Sequence, residues 1–377
     1  MPKKSFGSAL RTLARYSNLR LILLCVLLST YGCLLVFSAA PGGATMQIGA
    51  SVIGLVLAIL ISQIDYTEIC ALWPIWAILS LVLVILTLTP LGLNVSGTDD
   101  TAWLGISIGS FSLTFQPSEL MKITFIMTFS VHLSKVREDI RQFKNVLLLG
   151  LHAAVPILLV FLQGDDGTAL VFIFIFVSMM FAAGVNLIYY VIALTGICAA
   201  VPILWTQFLT DDKKARILCI LPPYVDKYLD TVGWQQFEGL KAIGSGKLLG
   251  IGYRNGNNFF ARNNDLIFTV AAEEFGFIGG VLLLVLLGLM LLELLRCALH
   301  ARDDLGTYIC VGMMALIGFQ SLINLGMNLR LLPVIGITLP FFSAGGSSVA
   351  TLYLGIGLVL SVSFSQRARR NRGPFRS

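Results

Sequence analysis

Charge is what this 377-residue chain has least of: Asp, Glu, Lys and Arg together make up 12% of it, about half the share of a soluble domain. With 56% hydrophobic residues, a water-soluble fold is excluded. Cross-linking frameworks are lacking as well. The seven cysteines stand mostly inside apolar runs (Cys25, Cys33, Cys198, Cys310), with no CxxC and no even set in a polar loop, which argues against a disulfide scaffold and a zinc site. The three histidines, His132, His152 and His300, sit far apart at helix ends and match no metal-binding spacing. No internal repeat is present, so the usual pointer to a secondary transporter is missing. A nucleotide loop is lacking too. Gly244-Ser-Gly-Lys247 would put Lys241 where GxxxxGK[ST] needs its first glycine, and Leu248 follows the lysine, so these glycines predict a tight turn over the outer mouth instead. No nucleic-acid partner is expected.

What the chain does have is apolar length. Runs of about twenty residues, enough to cross a hydrocarbon core of roughly 30 Å, recur along nearly all of it. They predict an all-α, polytopic integral membrane protein, a single domain over residues 1–377. About ten transmembrane helices are expected, near 19–40, 44–63, 69–89, 117–133, 145–162, 168–184, 187–208, 266–295, 305–327 and 343–364. The first run follows Lys3, Lys4, Arg11, Arg15 and Arg20 and ends without a small-residue cleavage site. It is therefore read as a retained helix, not a removed signal peptide. With the amino terminus inside, inner segments also hold Lys135, Arg137, Arg141, Lys144, Arg296, Arg302, Arg367, Arg369, Arg370, Arg372 and Arg376, making sixteen of the twenty-six basic residues. That bias predicts cytoplasmic termini, with an amino-terminal segment 1–18 and a basic tail 366–377. The exception is a large extracytoplasmic loop between helices 7 and 8, residues 209–265. It carries Lys213, Lys214, Arg216, Lys227, Lys241, Lys247, Arg254 and Arg262 among aromatic residues such as Trp234. The mixture suits an anionic, amphiphilic ligand at the outer face; a long solvated loop exempt from the charge rule is the plain alternative.

Three blocks could carry chemistry. Phe115-Gln-Pro-Ser-Glu-Leu-Met-Lys122 opens the fourth helix, with Pro117 suited to the first turn and Glu119 favoured there by the helix dipole. Lys122 lies one turn beyond Ser118 and three residues past Glu119, on the same face and about 5 Å deeper. A lysine at that depth must pair, snorkel or face a wet cavity, so it is either functional or half of a structural pair with Glu119. Asn263-Asn-Asp-Leu-Ile-Phe-Thr-Val-Ala-Ala-Glu-Glu-Phe-Gly276 leads into the eighth helix. Asp265 there stands at the water boundary, either as a reactive carboxylate or as a helix cap. Glu273 and Glu274 lie two turns deeper, where buried carboxylates need partners or a proton. In the third block, Asn324 to Ser348, Pro333, Gly336 and Pro340 interrupt helix, and such backbone at membrane depth must be buried in protein or line a wet cavity. Gly345, Gly346, Ser347 and Ser348 then open the tenth helix, where bare amides can bind phosphate or small residues can permit close packing.

In this order on ten helices, the blocks resemble the shape, elongation, division and sporulation family. FQPSE with its following lysine is matched from Phe115 to Lys122, DFIF at Asp265–Phe268, EE(L)G at Glu273–Gly276, AIGSG at Ala242–Gly246 and PFxSxGGSS at Pro340–Ser348. Departures stand beside these. Arg-Trp becomes Ala102-Trp103, the histidine before DFIF is replaced by Asn263-Asn264, and PDLGTA becomes Gly164-Asp-Asp-Gly-Thr-Ala169, which adds a carboxylate at Asp166. The resemblance implies a peptidoglycan polymerase in the bacterial cytoplasmic membrane. Its substrate would be lipid II, a disaccharide-peptide on undecaprenyl pyrophosphate, added to a growing glycan strand. Asp265 would be the base, acting directly or through a bound divalent cation (Mg or Mn), with Lys122 and Glu119 also catalytic. Arg216, Trp103, Ser118, Gln116, Ser343, Gly345, Gly346, Ser347 and Ser348 would meet the substrate. A class B penicillin-binding protein (a transpeptidase) and the elongation or division machinery are the implied partners; Gln63-Ile-Asp-Tyr66 leans towards the RodA-like elongation branch. The competing readings are a flippase or transporter of lipid-linked precursors and a non-enzymatic scaffold. A flippase needs polar groups along the whole crossing, whereas the blocks gather at the outer ends of the fourth, eighth and tenth helices.

Overall fold

A computed structural model describes residues 18–94, 101–108, 111–222, 224–228, 230–256 and 264–372. Expectations resting on Lys3, Lys4, Arg11, Arg15, Arg262, Asn263 and Arg376 lie outside the described residues. The chain runs α1 (Leu19–Ala39), α2 (Pro41–Ile61), α3 (Tyr66–Ala71), α4 (Trp73–Thr87), β1 (Leu104–Ile108), β2 (Phe111–Phe115), α5 (Pro117–Val136), α6 (Phe143–Leu162), α7 (Asp166–Ala182) and α8 (Leu187–Ile203). After these come α9 (Asp211–Leu218), α10 (Val225–Tyr228), α11 (Trp234–Ser245), α12 (Ile267–Glu274), α13 (Gly276–Leu299), α14 (Asp304–Asn328) and α15 (Gly346–Arg372). Each of the ten expected stretches is mostly helical, and the molecule is a polytopic membrane protein. Among the described residues seven helices are long and apolar enough to cross a membrane: α1, α2, α6, α8 with its extension to Gln207, α13, α14 and α15. α4 and α7 are apolar but shorter; α5 is interrupted in composition by Glu119, Lys122 and Lys135.

Several expectations are corrected. The third helix is two, broken at Leu72, because Pro74 in the first turn of α4 has no N–H to continue the ladder of α3. The eighth is also two, broken at Phe275–Gly276, where Gly276 takes a left-handed φ of +67°. A short hairpin accompanies the helices, which make up the fold as expected. Leu104-Gly-Ile-Ser-Ile and Phe111-Ser-Leu-Thr-Phe alternate with period two and pair antiparallel, Leu104 opposite Phe115 and Ile108 opposite Phe111. The outer loop is itself built of α9, α10 and α11. Finally, His132 and His152 are not apart: α5 and α6 bring their Nδ1 atoms to 3.1 Å, with the rings stacked. Thr128 Oγ1 lies 3.2 Å from His152 Nε2.

α14 and α15 form the centre, and α2 lies along α15 through small residues. A Cβ on Gly54 would stand 2.7 Å from Tyr353 Cδ2, and one on Gly357 3.0 Å from Ala58 Cα, so glycine is what lets these backbones approach. Tyr353 closes the seam, its hydroxyl 2.7 Å from Ser29 Oγ. α8 is the opposite case, with no buried residue along its length. One end of the bundle is bound by ion pairs, Arg302 with Asp65 and Asp303 and Arg137 with Asp304. The other end carries Glu119 and Asp265.

Candidate active site

α5 starts where Pro117 takes the first helical position, and the next turns sink into the bundle: Ser118 is fully buried and Lys122 is 1% exposed. Lys122 Nζ donates to Glu119 Oε1 at 2.7 Å, the pairing that their three-residue spacing predicts. The Lys122 charge is thus neutralised by a partner on its own helix, and Glu119 carries the pair to the edge of a cleft. That cleft, with only about 20 Å³ free inside it, lies between α5, α14, the segment Thr338–Ser343 and the start of α15. Glu119, Gln320, Ser343, Ser348 and Thr351 give it polar walls. Ser118 Oγ is buried and has no hydrogen-bond partner among the described residues.

The segment between α14 and α15 is irregular, as its prolines and glycine require, and its polar groups are answered by buried amides. Gln47 Nε2 donates to the Phe341 and Ser343 carbonyls at 3.4 and 3.2 Å, while its Oε1 accepts from Gly345 N at 3.1 Å. Gly345 therefore does not offer a bare amide. The first turn of α15 begins one residue later, and Val349 N is bonded back to the Gly345 carbonyl at 3.0 Å. The amides of Gly346, Ser347 and Ser348 precede the first intrahelical bond and remain the phosphate-facing candidates. Ser343 is committed within the protein: its hydroxyl donates to the Asn264 carbonyl at 2.6 Å and accepts from Leu339 N at 2.8 Å. It joins the cleft to the turn that holds Asp265.

Asp265 lies in the turn Asn264–Leu266 ahead of α12, partly exposed. Two asparagines with no exposed surface hold its backbone: Asn324 Nδ2 and Asn328 Nδ2 donate to the Asp265 carbonyl at 2.8 and 2.9 Å. Its carboxyl is pushed up to about 6, first by loss of hydration and then by the Asp165 carboxylate, against the lowering effect of Arg216. Asp165 caps α7 by accepting from Thr168 N at 2.9 Å and takes a second bond from Gln116 Nε2 at 3.0 Å. The structure thus gathers Asp265, Asp165, Arg216 and Gln116 into one charged neighbourhood and places Glu119, Ser343 and Ser348 on one cleft. Trp103 sits at the foot of the hairpin, its backbone paired with Leu93.

The glycine turn also finds its role. α11 ends at Ser245 and the chain turns against the break in the eighth helix. Ile251 N and Gly252 N donate to the Glu273 and Glu274 carbonyls at 3.0 and 3.2 Å, while Phe277 N donates to Lys247 O at 2.8 Å. Orphan groups on both sides of the break are satisfied by one loop. Of the two carboxylates here, Glu274 accepts from Ser38 Oγ at 2.6 Å and from Arg254 N at 3.2 Å, a structural use. Sequence reasoning left Asp165, Asn324, Asn328 and Gln47 out of the site. The available signal was polarity inside apolar helices: Asn324 and Asn328 fall on one face of α14 at a four-residue spacing.

The chain is similar to known proteins over nearly its whole length. The cell cycle protein family FTSW_RODA_SPOVE matches residues 18–368. Stage V sporulation protein E of Bacillus subtilis is 32% identical over 368 residues, covering 92% of this chain and 96% of that protein. A probable peptidoglycan glycosyltransferase FtsW of Geobacter metallireducens is 30% identical, covering 95% and 97%. Among solved structures, a chain from work on the structural coordination of polymerization and crosslinking by a peptidoglycan synthase complex superposes with a TM-score of 0.80. It is 30% identical and covers 93% of this chain and 98% of that one.

Proposed function

The chain belongs to the FTSW_RODA_SPOVE family, and from that membership we propose that it is a peptidoglycan glycosyltransferase extending glycan strands from lipid II. The observation that carries the reading is Asp265: partly exposed, backbone-clamped by two buried asparagines, and poised at about 6. A general base is most useful when its pKa lies near working pH, and such help is typically worth about 10²- to 10⁴-fold. Asp265 takes the proton of the acceptor sugar 4-hydroxyl as that oxygen attacks C1 of the donor, and the bond from C1 to the lipid pyrophosphate breaks. The leaving group is an anion, so fixed cations and amides are what stabilise it. Arg216, beside Asp265, and the first-turn amides of α15 are suited to that work, with the Glu119–Lys122 pair shaping the cleft wall. No cluster of three or more carboxylate, histidine or cysteine ligands is present among the described residues, so a divalent cation, if the reaction uses one, would be held by Asp265 with Asp165 nearby and would supply positive charge beside the departing pyrophosphate.

On this reading the site lies at the outer face of the bacterial cytoplasmic membrane. Because the chain's structural relative comes from an assembly that couples polymerization to crosslinking, a crosslinking partner of the class B penicillin-binding type is the natural companion. The test is lipid II polymerisation by purified protein, with and without such a partner. Glycan chains from wild type and none from inserted, folded Asp265→Ala support the reading; an active Asp265→Ala overturns it.

A further inference from the structure

α9 carries Arg216, yet none of its residues is buried. Apolar packing of α9 is thin, with Ile217 and Leu218 half-buried, and polar ties at its two ends add to it. Beyond its carboxyl end, the carbonyl of buried Cys219 accepts from Arg330 Nη2 at 3.1 Å. At its amino end, Lys213 Nζ pairs with the carboxylate of Asp166. Asp166 is the residue next to Asp165, and Lys213 is one helical turn before Arg216. One ion pair thus joins the two elements that carry Asp165 and Arg216, whose charges bear on Asp265 with opposite sign. Position 166 is also where this sequence departs from the PDLGTA pattern, placing a second carboxylate at the mouth of the site. Left unpaired, that carboxylate would repel an anionic donor.

We propose that the Asp166–Lys213 ion pair is a positioning latch that holds α9, and with it Arg216, over Asp265, and so tunes how tightly the site takes a pyrophosphate-bearing donor. This rests on the site assignment above. Both partners are partly exposed, 48% for Lys213 and 36% for Asp166, so solvent and salt screen the pair and its effect is modest. What it contributes is location.

The experiment compares Asp166→Asn, Lys213→Gln and the reversed pair Asp166→Lys with Lys213→Asp, all in the full chain. Lipid II polymerisation is followed across donor concentration, and hydrogen exchange is measured over 211–218. Each single variant is expected to raise the half-saturating lipid II concentration about two- to five-fold and to speed exchange over α9. The reversed pair should restore both. Unchanged exchange in both singles, or failure of the reversed pair to restore it, overturns the latch. Faster exchange with unchanged half-saturation overturns its link to donor binding. Failure of the site assignment reads differently, as an active Asp265→Asn.

Discussion

At the scale of single residues, Asp265 is held between two charges of opposite sign, and that makes its behaviour adjustable in both directions. Asp165→Asn keeps an oxygen for the cap on Thr168 N but removes a negative charge, so the acid limb of the pH–rate profile should move below about 6. Arg216→Gln removes the lowering influence, and the limb should move above it. Titrating initial rates of the two variants against wild type checks both signs. The same carboxyl affects stability. Its pKa rises from 3.8 to about 6 on folding, so below the lower value both states hold the proton and nothing is lost. As pH climbs through the higher value, the folded state gives up a proton at a cost that the unfolded chain does not bear. At about 1.4 kcal/mol per unit, roughly 1–3 kcal/mol of stability disappears over that interval. Inactive Asp265→Asn should therefore melt at a higher temperature than wild type at pH 8, with the gap closing near pH 4. Melting curves in detergent at the two pH values test this.

At the scale of elements, the break between α12 and α13 is the most demanding joint in the site. Gly276 needs φ of +67°, and a Cβ there would stand 2.3 Å from Gly250 N. Gly276→Ala should cost about 1–3 kcal/mol in backbone strain alone, more with the collision, and should remove polymerisation while the protein still inserts; thermal unfolding and the lipid II assay read the two effects. Little of this joint was legible in the sequence, because an apolar run reads the same whether or not a loop from elsewhere cuts into it. The break at Leu72 could have been read, since Pro74 is local. So could the hairpin of β1 and β2, whose two-residue alternation was present but was overlooked between longer helical signals. Local spacing did predict the Glu119–Lys122 pair correctly. By contrast, the bonds from Asn324 and Asn328 to the Asp265 carbonyl span about sixty residues of chain, and the meeting of His132 with His152 depends on how α5 lies against α6. Periodicity has no access to contacts of that kind.

At the scale of the whole molecule, burial is uneven: α14 and α15 are enclosed, whereas α8 presents apolar residues on every side. Replacing leucine or isoleucine by alanine along α8 should change the melting temperature little, consistent with about 0.5 kcal/mol or less for exposed sites. Gly357→Leu, which would push into Ala58 and Ile61, should lower it sharply. Melting of the purified protein in detergent distinguishes the two classes of substitution. The broken eighth helix has one more consequence, for biogenesis. α13 alone spans 24 residues, long enough to be threaded across a bilayer unaided, at about twenty needed. The eight residues of α12 are too few to be recognised as a crossing, and the Glu273 and Glu274 carbonyls at their end accept from the amides of residues 251 and 252. Insertion of the chain and assembly of its reactive turn are thus expected to be separable: a defect in the glycine loop should leave a protein that reaches the membrane in full yield and does no chemistry there.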